Sequence, residues 1–195
     1  VGLPVMEQKG WQKIIITYVD RLVYRLATHV LSNSAGLMNY LTAGHYLPEG
    51  KISMLGHGST NGIDLEYFSE TEEIRRMGKN LRDNLDGREK STVFLYIGRL
   101  VRDKGINELT EAFKRLNASD PSAKLILLGR QEENSRLADH TLREIEENPA
   151  IIRAGYQKDI RPYLSMADIV VFPSYREGFP NVILQALSFN KPCIA

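Results

Sequence analysis

The sequence predicts an α/β protein whose larger part is a doubly wound parallel sheet. Strand and helix patterns alternate from Ser91 to the end of the chain, which is the order expected of successive β-α units. Residues 93–97 form a continuous apolar run, as in a parallel strand that helices cover on both faces. Ligands of such sheets bind beyond the carboxyl ends of the strands. The candidate loops therefore follow Ile97, Leu128, Ala154 and Phe172.

The first part of the chain is predicted to contain a pair of helices and a pair of short strands. Residues 11–28 carry apolar side chains at helical spacing, and we expect a core helix because a periodic apolar face needs burial. Ser34 is a suitable N-cap for a second helix over residues 35–41. The predicted strands are residues 30–32 and 52–55. A glycine-rich connector over residues 56–64 follows them.

The second part of the chain begins with a predicted helix over residues 70–85, whose inward side chains are Ile74, Met77, Leu81 and Leu85. The predicted strands that follow are residues 93–97, 125–128, 151–154, 169–172 and 193–195. The helix after the first of these strands is amphipathic through Ile106, Leu109, Phe113 and Leu116. The later helices are predicted over residues 136–147, 160–166 and 181–189.

The composition excludes several classes of function. The 195 residues include 25 Lys plus Arg and 24 Asp plus Glu, so the chain lacks the basic excess of a protein that binds nucleic acid. Cys193 is the single cysteine, which excludes an intramolecular disulfide and favours a reducing compartment. No apolar stretch approaches the ~18 residues that a membrane span needs. The four histidines are scattered, and we expect no metal site.

Both ends of the sequence have the pattern of a longer chain. Val1 is not a methionine and no signal-peptide pattern follows it. The last residues are an apolar run that resembles the beginning of a strand. We therefore expect a fragment with further elements on both sides.

The loop over residues 98–105 is the first candidate site. Arg99 and Lys104 bracket a short turn in it, and a guanidinium fork together with an ammonium group suits a diphosphate. The helix that begins near Gly105 adds partial positive charge, so no metal would be required. The alternative is a solvated surface turn in which Asp103 offsets one charge. Both interpretations are open from the loop alone.

The loop over residues 173–181 is the second candidate. Gly178 would let the backbone approach a ligand closely, and the amides before the next helix favour an anion. Glu177 is unusual beside an anion site, but a carboxylate accepts strong hydrogen bonds from sugar hydroxyls. The alternative is an acidic residue that simply stabilises a helix start. Gln185, eight positions later, would lie two turns into that helix, facing the cleft or the surface.

A third candidate follows the strand at residues 151–154. Gly155, Tyr156 and Gln157 lie in this loop, and a flat ring could lie across its backbone. For Tyr156 itself we favour a place in the core or at the rim over direct stacking. Gly129 and Arg130 close the preceding strand and face the same edge of the sheet.

Three motifs, taken in order, resemble the retaining GT-B glycosyltransferases of family 4. Residues 94–105, FLYIGRLVRDKG, resemble the start of the second, Rossmann-like domain of that family. Residues 167–182, ADIVVFPSYREGFPNV, resemble its donor-site signature. Residues 61–64, NGID, followed by Phe68, resemble the segment that links its two domains. The resemblance extends from about residue 28 to the end of the chain.

The resemblance implies a division of the chain and a set of site residues. Residues 1–59 would be the tail of the acceptor domain and the start of the linker, and residues 60–195 an incomplete, Rossmann-like nucleotide-sugar-binding domain. The implied catalytic residues are Arg99 and Lys104, which hold the donor diphosphate, and Glu177, which contacts donor-sugar hydroxyls. The implied donor-binding residues are Gly98, Arg99, Lys104, Gln157, Glu177, Gly178, Phe179, Pro180, Asn181 and Gln185. The family usually has a second glutamate at the ribose-binding position, where this chain has Gln185.

The resemblance also implies an activity. The whole enzyme would be a hexosyltransferase-type glycosyltransferase that moves a sugar, with retention and without metal or other cofactor, from a nucleotide-sugar donor. The donor would be a UDP-sugar, and the acceptor a glycan or lipid-linked acceptor in cell-surface polysaccharide synthesis. Its location would be the cytoplasm, with peripheral contact at the inner face of the membrane. The fragment alone would be inactive. Two alternatives remain, a nucleotide-sugar-binding module without catalysis and a GT-B sugar-nucleotide epimerase.

Overall fold

The computed structural model describes residues 10–48, 50–58, 62–86, 91–132, 137–175 and 177–195. By their contacts the residues divide into two compact units. The first unit comprises Val1–Gly62 and Arg176–Asn181, and the second comprises Ile63–Tyr175 and Val182–Ala195. The boundary predicted between residues 59 and 60 stays a prediction, since residues 59–61 lie outside the described ranges.

The first unit contains α1 (Trp11–Leu26), β1 (Val30–Ser32), α2 (Ala35–Ala43) and β2 (Ile52–Met54). The two strands pair in parallel, with Val30 opposite Ile52. The predicted cap is confirmed, since the Ser34 side chain accepts a hydrogen bond from the Leu37 amide. Leu41 and Tyr46 form a small buried cluster against which Tyr24 and Tyr40 pack.

The apolar face of α1 is exposed, contrary to the core helix that the periodicity predicted. The helix has no buried residue, and Trp11, Tyr18 and Leu26 are 69%, 71% and 76% exposed. Apolar residues at helical spacing indicate that one face of a helix needs burial, but they do not specify which polypeptide buries that face. None of the helices in the described ranges is both long and apolar enough to cross a bilayer.

The remaining elements follow the predicted alternation closely. They are α3 (Glu72–Asp86), β3 (Val93–Ile97), a 3₁₀ helix (Arg102–Lys104), α4 (Ile106–Ser119), β4 (Lys124–Leu128), α5 (Asp139–Glu147), β5 (Ile151–Gly155), α6 (Arg161–Met166), β6 (Ile169–Val171), α7 (Asn181–Ser188) and β7 (Cys193–Ile194). The start predicted for α5, Arg136, lies outside the described residues. Met77, predicted to face inward, is 42% exposed.

Five parallel strands form one sheet in the order β5-β4-β3-β6-β7. The first strand of the sheet, β3, is central. The chain builds outward from it through β4 and β5, then returns to the other side through β6 and β7. The strand order therefore reverses between β3 and β6, which is where a doubly wound sheet opens a crevice for ligands. The predicted α/β fold with a doubly wound parallel sheet is confirmed.

Both faces of this sheet are covered, as the continuous apolar strands predicted. Side chains along β3 and β4 alternate between two buried clusters: Tyr96, Leu125 and Leu127 belong to one and Leu95 and Ile126 to the other. All five residues of β4 are buried. Because both faces of β3 and β4 are covered by apolar side chains, the polar groups that these strands offer to a ligand lie in the loops at their ends.

Candidate functional site

A cavity of about 700 Å³ lies at the carboxyl ends of β3, β4 and β5. This volume is in the range of small-molecule sites. Three of the four loops that the sequence placed at one edge of the sheet, those after Ile97, Leu128 and Ala154, are thus brought together around a single space, whereas the described residues of the loop after Phe172 do not line it. The residues that line it are Ile97, Gly98, Arg99, Leu128, Gly129, Arg130, Gln131, Glu132, Tyr156, Gln157 and Ile160.

Close backbone contact between two loops shapes the floor of the cavity. The Gly98 amide donates to the Leu128 carbonyl at 2.9 Å, and the Leu100 amide donates to the Arg130 carbonyl at 2.9 Å. Gly129 has a φ of +150°, and a Cβ atom there would lie 1.8 Å from the Gly98 carbonyl oxygen. A side chain at position 129 would therefore push the two loops apart.

Arg99 is positioned at the end of β3 and is already paired. Its Nη1 donates to Oε1 of Glu132 at 3.0 Å, and its Nη2 lies 4.0 Å from the Asp103 carboxylate. The hydrogen bond with Glu132 is the main cause that raises the pKa of Arg99, and the charges of Glu132 and Asp103 add to it. The guanidinium stays charged at all physiological pH values and lies at the cavity wall.

Lys104 ends the 3₁₀ helix that the sequence did not predict. The next residue, Gly105, has a φ of +70°, and a Cβ atom on it would lie 2.0 Å from the carbonyl oxygen of Pro173. The Tyr175 amide donates to the Asp103 carbonyl at 3.1 Å. These contacts fasten the loop after β3 to the beginning of the loop after β6, across the point where the strand order reverses.

Gln157 and Tyr156 form the opposite wall of the cavity. The Gln157 side-chain amide donates to the Ala154 carbonyl at 2.7 Å, which orients that side chain. Tyr156 is exposed, and the guanidinium carbon of Arg130 lies 4.7 Å from the centre of its ring. Of the two places expected for Tyr156, the core and the rim, the structure has it at the rim, and whether a ligand stacks on its ring stays a prediction. The stacking of Tyr156 with Arg130 joins the ends of β4 and β5, which the sequence placed at one edge without predicting the contact.

Glu132 is a charged cavity residue that the sequence did not predict, and its neighbour Gln131 was not predicted either. Glu132 follows β4 by four positions, in a loop whose next residues, 133–136, lie outside the described ranges. Its position in the sequence could have predicted it, because a carboxylate just beyond the carboxyl end of a central strand lies at the edge of a parallel sheet where ligands bind. Its pairing with Arg99 depends on the approach of two loops that are far apart in sequence.

The segment that contains Glu177 groups with the first unit. Glu177 is exposed, and a Cβ atom on Gly178 would lie 2.6 Å from the side-chain amide of Asn33. Arg176, part of the predicted signature, lies outside the described residues. The roles of Glu177, Gly178, Phe179, Pro180 and Asn181 in donor binding stay predictions.

Gln185 lies in the second turn of α7 and is half-buried. Its backbone carbonyl accepts a hydrogen bond from the Ser188 hydroxyl at 2.8 Å. It is not one of the residues that line the cavity, so its predicted contact with a ribose stays a prediction. Within the part of the chain that the structure describes, no group of three or more His, Cys, Asp or Glu residues could hold a metal ion.

The profile of a known family, described as glycosyl transferases group 1, matches residues 78–195. The chain belongs to this family. The resemblance inferred from the three sequence motifs is thereby confirmed. The match includes every strand of the five-stranded sheet and each residue of the cavity wall.

Curated relatives of the group 1 chain include named enzymes. It is 29% identical over 197 residues to the capsular polysaccharide biosynthesis glycosyltransferase CapM of Staphylococcus aureus, covering 99% of this chain and 50% of CapM. It is also 29% identical to the N,N'-diacetylbacillosaminyl-diphospho-undecaprenol alpha-1,3-N-acetylgalactosaminyltransferase of Campylobacter jejuni, covering 95% of this chain and 48% of that enzyme. The chain thus spans about half the length of these relatives.

Solved structures support the fold. The Anabaena protein HepE, crystallised in complex with UDP, superimposes with a TM-score of 0.75 over 100% of this chain and 51% of its own, at 22% identity. At this identity the likeness establishes the fold alone. It agrees with the predicted GT-B architecture, of which the group 1 chain holds about half.

Proposed function

We propose that the chain is the donor-binding part of a glycosyltransferase that transfers a hexose, with retention, from a UDP-sugar. The acceptor is a glycan or a lipid-linked acceptor in cell-surface polysaccharide synthesis. The observation that carries the proposal is the cavity of about 700 Å³ at the carboxyl ends of three parallel strands, with the Arg99 guanidinium in its wall. Membership of the group 1 family supports the same activity.

The walls of the cavity suit the parts of a nucleotide diphosphate. Arg99 offers a planar fork of donors for phosphate oxygens. The Arg130–Tyr156 stack and Gln157 offer a flat surface and an amide for a nucleobase. Fixed cations aimed at the diphosphate would stabilise the charge that develops on the leaving group, without a metal. We assign this role to Arg99 and Lys104.

Three further assignments in the proposal come from the family resemblance. Glu177 accepts hydrogen bonds from donor-sugar hydroxyls, and the backbone of residues 178–181 contacts the sugar and phosphates. Gln185 contacts the ribose through its side-chain carbonyl. The name of the Campylobacter relative includes a diphospho-undecaprenol, which is a lipid-linked substrate. On that ground we place the reaction in the cytoplasm, at the inner face of the membrane.

Calorimetric titration of the 195-residue protein with UDP, GDP and ADP tests the proposal. We expect UDP to bind most tightly, and Arg99→Ala and Lys104→Ala each to weaken its binding by about ten- to a hundredfold, since a charged hydrogen bond contributes roughly 1.5–3 kcal/mol. Arg115→Ala is the matched control, because Arg115 is an exposed cation that pairs with Glu111 on α4. No UDP binding, or unchanged affinity in both variants, would contradict the proposal.

The alternative is a nucleotide-sugar-binding module without catalysis. Gln185 favours it, because the family usually has a charged glutamate there. The two functions agree on UDP binding and differ in turnover. Product analysis with a labelled UDP-sugar on the whole protein separates them, and the same assay distinguishes transfer from epimerisation.

A further inference from the structure

The Glu132 carboxylate already pairs with the guanidinium of Arg99, which the proposed function assigns to the donor diphosphate. It reaches Arg99 from the loop after β4, with its Oε1 3.0 Å from Nη1. Both side chains line the same cavity. A phosphate oxygen bound by Arg99 would therefore compete for a donor hydrogen that already has an acceptor.

The Arg99–Glu132 ion pair contributes little to holding the fold together, and a ligand can replace the carboxylate in it. The side chains of Arg99 and Glu132 are 55% and 47% exposed, and ion pairs at such exposure contribute little to stability. A diphosphate brings more charge than one carboxylate and presents several oxygens to the guanidinium fork. A Glu132 side chain that stayed in place would lie beside the incoming phosphates and repel them.

We propose that Glu132 is an affinity-setting residue, a carboxylate that competes with the donor diphosphate for Arg99 and weakens the binding of the nucleotide. This inference rests on the proposed function, since it needs a phosphorylated ligand in the cavity. In the free protein Glu132 keeps Arg99 extended along the cavity wall. When the nucleotide binds, the Glu132 carboxylate releases Arg99 and rotates toward solvent, as its exposure permits. When the nucleotide dissociates, the Arg99–Glu132 ion pair forms again.

The test compares wild type with Glu132→Gln, which removes the charge while keeping the size of the side chain. We expect the variant to bind UDP about three- to tenfold more tightly, because the competitor and its repulsion are lost. Binding of uridine, followed by NMR titration, should not change, since uridine has no phosphate. The gain for UDP should shrink at about 0.5 M salt and should vanish when Arg99→Ala is present in both proteins.

Glu111→Gln is the matched control. It removes a carboxylate from another exposed Arg–Glu pair, that of Glu111 with Arg115 on α4, and should leave UDP affinity unchanged. A Glu132→Gln protein that binds UDP equally or more weakly overturns the inference. Weaker uridine binding overturns it too, because Glu132 would then be a ribose ligand. If the wild type itself does not bind UDP, the proposed function and this inference fail together. If it binds but the variant does not differ, only this inference fails.

Discussion

Arg82 joins three segments of the second unit through one guanidinium. Its Nη1 donates to the Met166 carbonyl at 2.9 Å and to the Asp168 carboxylate at 3.0 Å. Its Nη2 donates to the Ser91 carbonyl at 2.6 Å and to the second oxygen of Asp168 at 2.9 Å. Asp168 also accepts from the Val93 amide at 2.8 Å. Asp168 belongs to the segment that resembles the donor-site signature, and its carboxylate links α3 to the start of β3.

We expect Arg82→Ala to lower the free energy of unfolding by about 1–3 kcal/mol, because it removes the hydrogen bonds to the Met166 and Ser91 carbonyls and leaves Asp168 with the Val93 amide as its donor. Chemical denaturation followed by circular dichroism measures this change. Arg75→Ala on the same helix is the control, since its ion pairs with Glu70 and Glu72 are largely exposed and should contribute less than about 1 kcal/mol. Equal effects of the two substitutions would contradict this role of Arg82.

At the scale of elements, the loops after β3 and β6 depend on one glycine. Gly105 adopts a φ of +70°, and a Cβ atom there would lie 2.0 Å from the Pro173 carbonyl oxygen. Gly155 offers a comparison, because its φ is +68° but a Cβ atom on it would have no neighbour within 4 Å. Comparing substitutions at Gly105 and Gly155 therefore separates the cost of backbone strain from the cost of steric overlap.

We expect Gly155→Ala to cost about 1 kcal/mol from the left-handed backbone alone. Gly105→Ala should cost roughly 2–5 kcal/mol, because overlap with Pro173 is added to that strain and the loops must separate. Thermal unfolding of both variants gives the comparison. Similar melting temperatures for the two proteins would show that the contact between the loops does not constrain the fold.

The strands of the sheet could be predicted to within about two residues, and the central strands β3 and β4 are recognisable because both of their faces are covered. A continuous apolar run such as residues 93–97, in a chain of alternating strands and helices, is typical of a parallel strand between two helical layers. The predicted ends of α3 and α7 differ from the structure by one or two residues, since helix ends depend on local capping. The burial of α1 was predicted wrongly, because apolar residues at helical spacing show that one face of the helix is apolar and do not show what buries that face.

The candidate site was predictable in its position but not in its pairings. Parallel strands end at one edge, so the sequence could place Arg99, Arg130 and Gln157 near one another. The Arg99–Glu132 ion pair and the Arg130–Tyr156 stack depend on how closely the loops approach. That approach is set by Gly129, whose missing side chain leaves room for the Gly98 carbonyl. Such close contacts follow from backbone geometry, which residue types alone do not specify.

At the scale of the whole molecule, the net charge at pH 7 is +1. The dependence of stability on acid pH is therefore set by individual carboxyl groups. Hydrogen bonds lower the pKa of Asp159, through Arg161, and of Glu144, through Lys114. The hydroxyl of Ser122 lowers the pKa of Asp120 in the same way. A group whose pKa is lower in the folded protein stabilises it above the unfolded value and loses that effect as pH falls. Burial raises the pKa of Asp20, so this one carboxyl acts in the opposite direction.

Because the groups with lowered pKa values stabilise the folded protein only while they are ionised, we expect the melting temperature to be nearly constant from about pH 6 to 8 and to fall below about pH 4.5. Asp159→Asn should lower the melting temperature at neutral pH, since Arg161 loses its carboxylate partner. The two curves should converge as the pH falls below the lowered pKa of folded Asp159, where this carboxyl is protonated in the folded and unfolded states alike. Glu146→Gln, exposed on α5, should follow the wild type throughout. Calorimetric scans across this pH range measure the wild type and the two variants, and a melting temperature that rises on acidification would mean that carboxyl groups with a raised pKa, such as Asp20, dominate instead.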